Sequence, residues 1–116
     1  AELLAPKKDF EAIRTLYHRA FREHGTEAAR WKSLARDYWR FVKEDADARK
    51  AAAREIEQAY ERNIETRNAD FFDVQSQNSC ATLLATYWRA AGDETKAQRL
   101  EREIERRSKR STRDAL

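Results

Sequence analysis

LLATYWRAAGDETKAQRLEREI, residues Leu83 to Ile104, decides the fold. Gly92 suits the left-handed position just past a helix end, and Asp93 can accept the free amide hydrogens at the start of the next helix. Apolar residues flank the pair at helical spacing, with Leu84, Ala85 and Trp88 before it and Ala97, Leu100 and Ile104 after it. The stretch therefore predicts two helices folded back on each other at Gly92-Asp93, with Trp88 against Ala97 or Leu100.

The rest of the chain extends this pattern. Two Gly and one Pro in 116 residues, with 39% charged side chains, leave few turn signals and favour helix nearly throughout. The expectation is one all-α domain, 1–116, of about five helices in antiparallel hairpins, with an arm at 1–8 and a basic tail at 106–116. A domain of this size hides roughly two-thirds of its unfolded surface, so its core is modest.

Taken in order, Asp9 or Pro6 sits near the first helix start, and Phe10, Ile13, Leu16, Tyr17, Ala20 and Phe21 form its buried stripe as far as His24. Gly25 reads as its stop and Thr26 as the cap of a second helix, whose apolar face is Ala28, Trp31, Leu34, Ala35, Tyr38, Phe41 and Val42, with Trp39 beside it. A third helix starts near Asp45 or Asp47 and carries Ala48, Ala52, Ile56, Ala59, Tyr60 and Ile64; its small residues predict a close, sandwiched position. From Thr66 to Ser79 the periodicity falters and reads as a loop pinned by Phe71 and Phe72, with Asp70 the alternative cap of an early fourth helix. Without that early start the fourth helix begins near Asn78, and it should be the most enclosed element. In the fifth helix Arg107 stands where the next apolar residue is due, so core contact is expected to end there.

Charge is unevenly spread. Arg99 to Arg113 holds seven basic and three acidic side chains, or +4, which leaves about −1 for the remainder of a chain whose net charge is +3. Arg106, Arg107, Lys109 and Arg110 can meet an acidic protein surface or RNA, or they can form a solvated helix end whose cations suit the helix dipole. One Cys excludes an intrachain disulfide and favours an intracellular, reducing compartment. No apolar run approaches the length of a bilayer span, and no signal peptide is visible at the first residue. The chain does not begin with Met, so a targeting segment could have been removed, or the chain trimmed, ahead of this numbering.

Catalytic signatures are missing. His18 and His24 lie about 240° apart around one helix, so they cannot chelate a metal as an i, i+4 pair can. No His-Glu-x-x-His, Gly-rich phosphate loop or nucleophile elbow occurs. Cys80, among small residues, reads as a packed thiol. The carboxylates alternate with Arg and Lys, as on a solvated, ion-paired surface. No enzyme activity, cofactor or metal is expected.

Two resemblances add to this reading. Leu84, Ala85, Trp88, Gly92, Asp93, Lys96, Ala97 and Leu100 resemble one tetratricopeptide or pentatricopeptide unit, and Trp31, Leu34, Ala35 and Tyr38 resemble the first helix of another. That implies a groove between hairpins holding a peptide, a neighbouring subunit or single-stranded RNA. Leu16-Tyr17-His18, followed by Arg19 and Arg22 and by Trp39-Arg40, is similar to the mitochondrial LYR family over about Phe10 to Tyr60, with His18 in place of the family's Arg. That implies an accessory subunit or assembly factor, commonly one that binds the acyl chain of acyl carrier protein. Either resemblance permits a mitochondrial setting.

The favoured expectation is a non-catalytic helical interaction module, a structural or accessory subunit of a protein or ribonucleoprotein assembly. Twelve aromatics are many for five narrow apolar stripes. Rings left outside are typical of an interface centre, so Trp39 with Phe71 and Phe72 is the expected partner-facing patch.

Overall fold

The computed structural model describes residues 9–66 and 74–115, with side chains described as far as Lys109. Among these residues there are five α-helices and no strand: α1 (Phe10–His24), α2 (Ala28–Val42), α3 (Ala46–Glu65), α4 (Val74–Ala90) and α5 (Glu94–Ala115). No helix among them is long and apolar enough to cross a membrane.

Aspartates start three of the helices. Asp9, Asp45 and Asp93 each accept an amide hydrogen three residues on, from Ala12 (3.1 Å), Ala48 (2.8 Å) and Lys96 (3.0 Å). α2 departs from expectation, because Glu27 and not Thr26 holds its cap position, and the Glu27 side chain makes no capping bond. Gly25 does end α1, but with φ −89° it is not left-handed. A Cβ there would lie 2.6 Å from the Phe21 carbonyl oxygen, so close approach is what calls for glycine. Gly92 is left-handed, at φ 91°. The Asp93 amide donates to the Trp88 carbonyl (2.9 Å) and the Gly92 amide to that of Arg89 (3.1 Å), the paired bonds of a Schellman turn.

α1, α2 and α3 pack against one another, α4 packs on α2 and α3, and α5 packs chiefly on α4 in the most extensive helix pair. α4 is thus touched by three helices and buries Cys80, Ala81, Leu84, Ala85, Tyr87 and Trp88. Ala52, Ala53 and Ala59 are buried on α3, where small side chains admit neighbours on several sides. Trp31, Tyr38, Ile56 and Leu84 are among the largest wholly enclosed side chains, each contributing about 1.5–3 kcal/mol by burial. Polar contacts fix the arrangement. Asn63 of α3, 5% exposed, donates to the Gly25 carbonyl (2.8 Å) and holds the α1–α2 turn.

Three expectations change. Leu16 is 61% exposed and Phe41 44%, although both fit an apolar stripe. α1 packs chiefly on α2 and α3, and Tyr17 and Phe21 face them, which leaves Leu16 about 100–140° off that line. Phe41 makes a tilted contact with Tyr17, whose ring stacks on Tyr38 at 4.7 Å. The fourth helix begins at Val74, four residues before Asn78, so the polar run Gln75, Ser76, Gln77 is its first turn and Gln77 is buried. Asp70, Phe71 and Phe72 lie outside the described residues.

Ala97 is wholly enclosed in the α4–α5 hairpin. Ala97→Trp should therefore overpack it and cost about 1–3 kcal/mol, read as a lowered urea midpoint.

Candidate functional site

α3 and α5 both lean on α4, and a cleft of about 410 Å³ opens between them. Its floor is apolar, from Tyr60, Ile64 and Leu100. Glu57, Glu61 and Glu65 line the α3 wall at steps of four, a column about 12 Å long. Lys96, Arg99, Glu103 and Arg107 line the α5 wall. Helical periodicity makes both columns, and the reversal at Gly92 makes them face.

The charges are partly engaged. Glu57 accepts the Trp88 indole hydrogen (3.0 Å) and lies 3.8 Å from the Lys96 ammonium, which sits 4.5 Å over the Trp88 ring. This puts Lys96 over the indole, while Trp88, Ala97 and Leu100 all lie in the buried core. Burial, and then the charges of Glu57 and Glu65, hold the Glu61 carboxyl above the usual carboxylate range, against Lys96 and Arg99. Burial likewise pushes the Tyr60 phenol up, against the Arg107 charge.

Trp39 is half-buried at the α2–α4 seam and stacks on Tyr87 with ring centroids 4.3 Å apart. Arg106 is exposed, and Lys109 pairs with Glu105 one turn back (3.1 Å). Arg107 corrects the sequence reading, since contact with the body does not end there. It is half-buried, donating from Nε to Asn78 (2.8 Å) and from Nη2 to the Tyr60 hydroxyl (3.4 Å). A long guanidinium bridges where an apolar side chain was due. Tyr87 and Asn78 are nine residues apart, half a turn around the α4 axis, so Trp39 and the basic end sit on opposite faces of α4.

A second polar cluster escaped sequence reading. Glu55 is 7% exposed on α3, paired with His18 of α1 and 4.0 Å from Arg14. Burial, and then the Glu55 charge, push the Tyr38 phenol up to about 12. Glu55 and His18 are 37 positions apart, so no local pattern links them. Among the described residues, no group of three or more His, Cys, Asp or Glu is placed to hold a metal. The fold and cleft define a small all-α domain with a charged interhelical groove. No known protein family, curated protein or solved structure matches the chain.

Arg107→Gln should lower stability by about 0.5–1.5 kcal/mol through loss of its two bonds, whereas Arg106→Gln and Lys109→Gln should stay within about 0.5 kcal/mol; urea denaturation separates them. Glu61 supplies a pH signature. A carboxyl whose folded pKa is raised binds its proton more tightly in the folded state, so its contribution is fully present below the unfolded pKa and lost as pH rises through the folded one. Glu61→Gln should therefore raise the urea midpoint at pH 7, and the gain should vanish below about pH 4.

Proposed function

We propose that this chain is a non-catalytic helical interaction module, a structural or accessory subunit that holds a segment of a partner protein in the α3–α5 cleft. One observation carries the reading: an apolar floor of Tyr60, Ile64 and Leu100 runs between two facing columns of charge. Apolar floors supply binding energy, and charged rims select partner and register. The tetratricopeptide resemblance agrees, since α2–α3 and α4–α5 are then successive hairpins with the cleft between their second helices. Trp39, half-open at the α2–α4 seam, offers a further contact on the other side.

The LYR-like reading is favoured by a different observation, the exposed Leu16 and Phe41 on mutually packed α1, α2 and α3. It places the partner on the α1–α2 face.

Purifying the tagged chain with its associates from its native source tests both. Ile64→Lys should lower recovery of the bound protein at least tenfold while far-UV circular dichroism stays unchanged. Full recovery with Ile64→Lys, and loss with Leu16→Asp and Phe41→Asp, would move the site to α1–α2. Co-purifying RNA that is lost on Arg106→Gln and Lys109→Gln would make the chain an RNA binder instead.

A further inference from the structure

Beside the cleft, a hollow of about 260 Å³ is lined by Lys50, Arg54, Trp88, Gly92, Asp93 and Lys96. Three cations from two hairpins and one carboxylate, Asp93, line it, and with Glu57 3.8 Å from Lys96 the formal surplus is one positive charge, carried by Lys50 and Arg54. Several cations elsewhere have an acid beside them: Arg14–Glu11, Arg19–Glu23, Arg30–Glu27, Arg40–Asp37 and Lys109–Glu105 are pairs three or four residues apart. Lys50 and Arg54 are not among these pairs, although Asp47 and Glu57 stand three residues from them in the sequence. They are like charges at i, i+4, which destabilises a helix, and among the described residues neither forms an ion pair. Glu57, three residues beyond Arg54, is turned to Trp88 and Lys96 instead. Asp93 already accepts the Lys96 amide hydrogen.

We infer that this hollow binds a phosphate monoester, carried on a phosphorylated side chain of a partner protein. Such a group brings a charge of about −1.5 to −2 and three acceptor oxygens, which the positive surplus attracts and the donors of Lys50, Arg54 and Lys96 can meet. Arg54 offers a planar fork and the two lysines offer point charges, the usual pairing for phosphate. Nucleic acid fits less well. Trp88 is the hollow's aromatic residue, is only 4% exposed and lies beneath Lys96, so no base can stack on it. The site adjoins the cleft through Lys96 but does not depend on a segment lying there.

The test titrates the full chain with inorganic phosphate, phosphoserine, serine and a single-stranded RNA oligonucleotide, following the Trp88 indole and Lys96 amide resonances. Phosphoserine and phosphate should give saturable shifts, and serine none. Tighter binding of a phosphoserine peptide than of inorganic phosphate would support a protein-borne group, and equal binding would support a site for the free ion. Lys50→Gln with Arg54→Gln should weaken the phosphate probes at least tenfold without lowering the melting temperature, since a like-charge pair is removed. Ile64→Lys, which blocks the cleft, should leave phosphate binding intact, so the two readings fail separately. The inference is overturned if the phosphate probes give no saturable shift, if the double variant binds them equally well, or if the oligonucleotide moves the Trp88 resonance at lower concentration than phosphoserine.

Discussion

The reversal at Gly92 is the constraint on which the rest of this structure depends. With φ at 91° and the Asp93 amide bonded to the Trp88 carbonyl, the chain must turn back along α4 within three residues. The two arms then run in register. Asn78 lies fourteen residues before Gly92 and Arg107 fifteen after it, and they meet at 2.8 Å. Near the turn, Arg89 reaches both Glu94 (2.7 Å) and Glu101 (2.8 Å), bracing the same pair of helices from outside. Those hydrogen bonds, Glu94 first, push the guanidinium pKa up and hold both carboxyls below their usual range.

The cleft follows from that register. α4 is shared, with α3 on one side of it and α5 on another, so the outer walls of α3 and α5 stand apart instead of closing. Beneath the charged columns Tyr60 and Leu100 belong to the buried core, and Ile64 packs against it. Lys96 links this cleft to the hollow around Lys50 and Arg54, because it is the α5 side chain that crosses Trp88 toward α3. A partner engaging both places would meet an apolar strip flanked by alternating charge, with a cationic corner at one end.

On the α1 side of α3, buried polarity does the orienting. Glu55 and Asn63 are nearly enclosed on α3, and each is answered from the α1 side, by His18 with Arg14 and by the Gly25 carbonyl. Leaving either buried group unanswered would cost about 1–3 kcal/mol, so α1 is held at a set rotation against α3. That rotation turns Tyr17 and Phe21 inward and leaves Leu16 outside.

By itself the sequence determined the all-α class, the hairpin at Gly92 with its cap at Asp93, and the burial of Trp31, Ile56, Cys80 and Leu84, and it narrowed two further helix starts to Pro6 or Asp9 and Asp45 or Asp47. These depend on local propensity and on 3.6-residue periodicity, which neighbouring residues encode. Only the tertiary structure decided which edge of each stripe meets a neighbour, because periodicity gives a face but not its partners; hence Leu16 and Phe41 emerged and Trp39 turned to Tyr87. It also decided the cleft, the cationic hollow and the inward reach of Arg107. Each joins residues about 30 or more positions apart, and such contacts are set by how helices cross and not by the order of residues within any one of them.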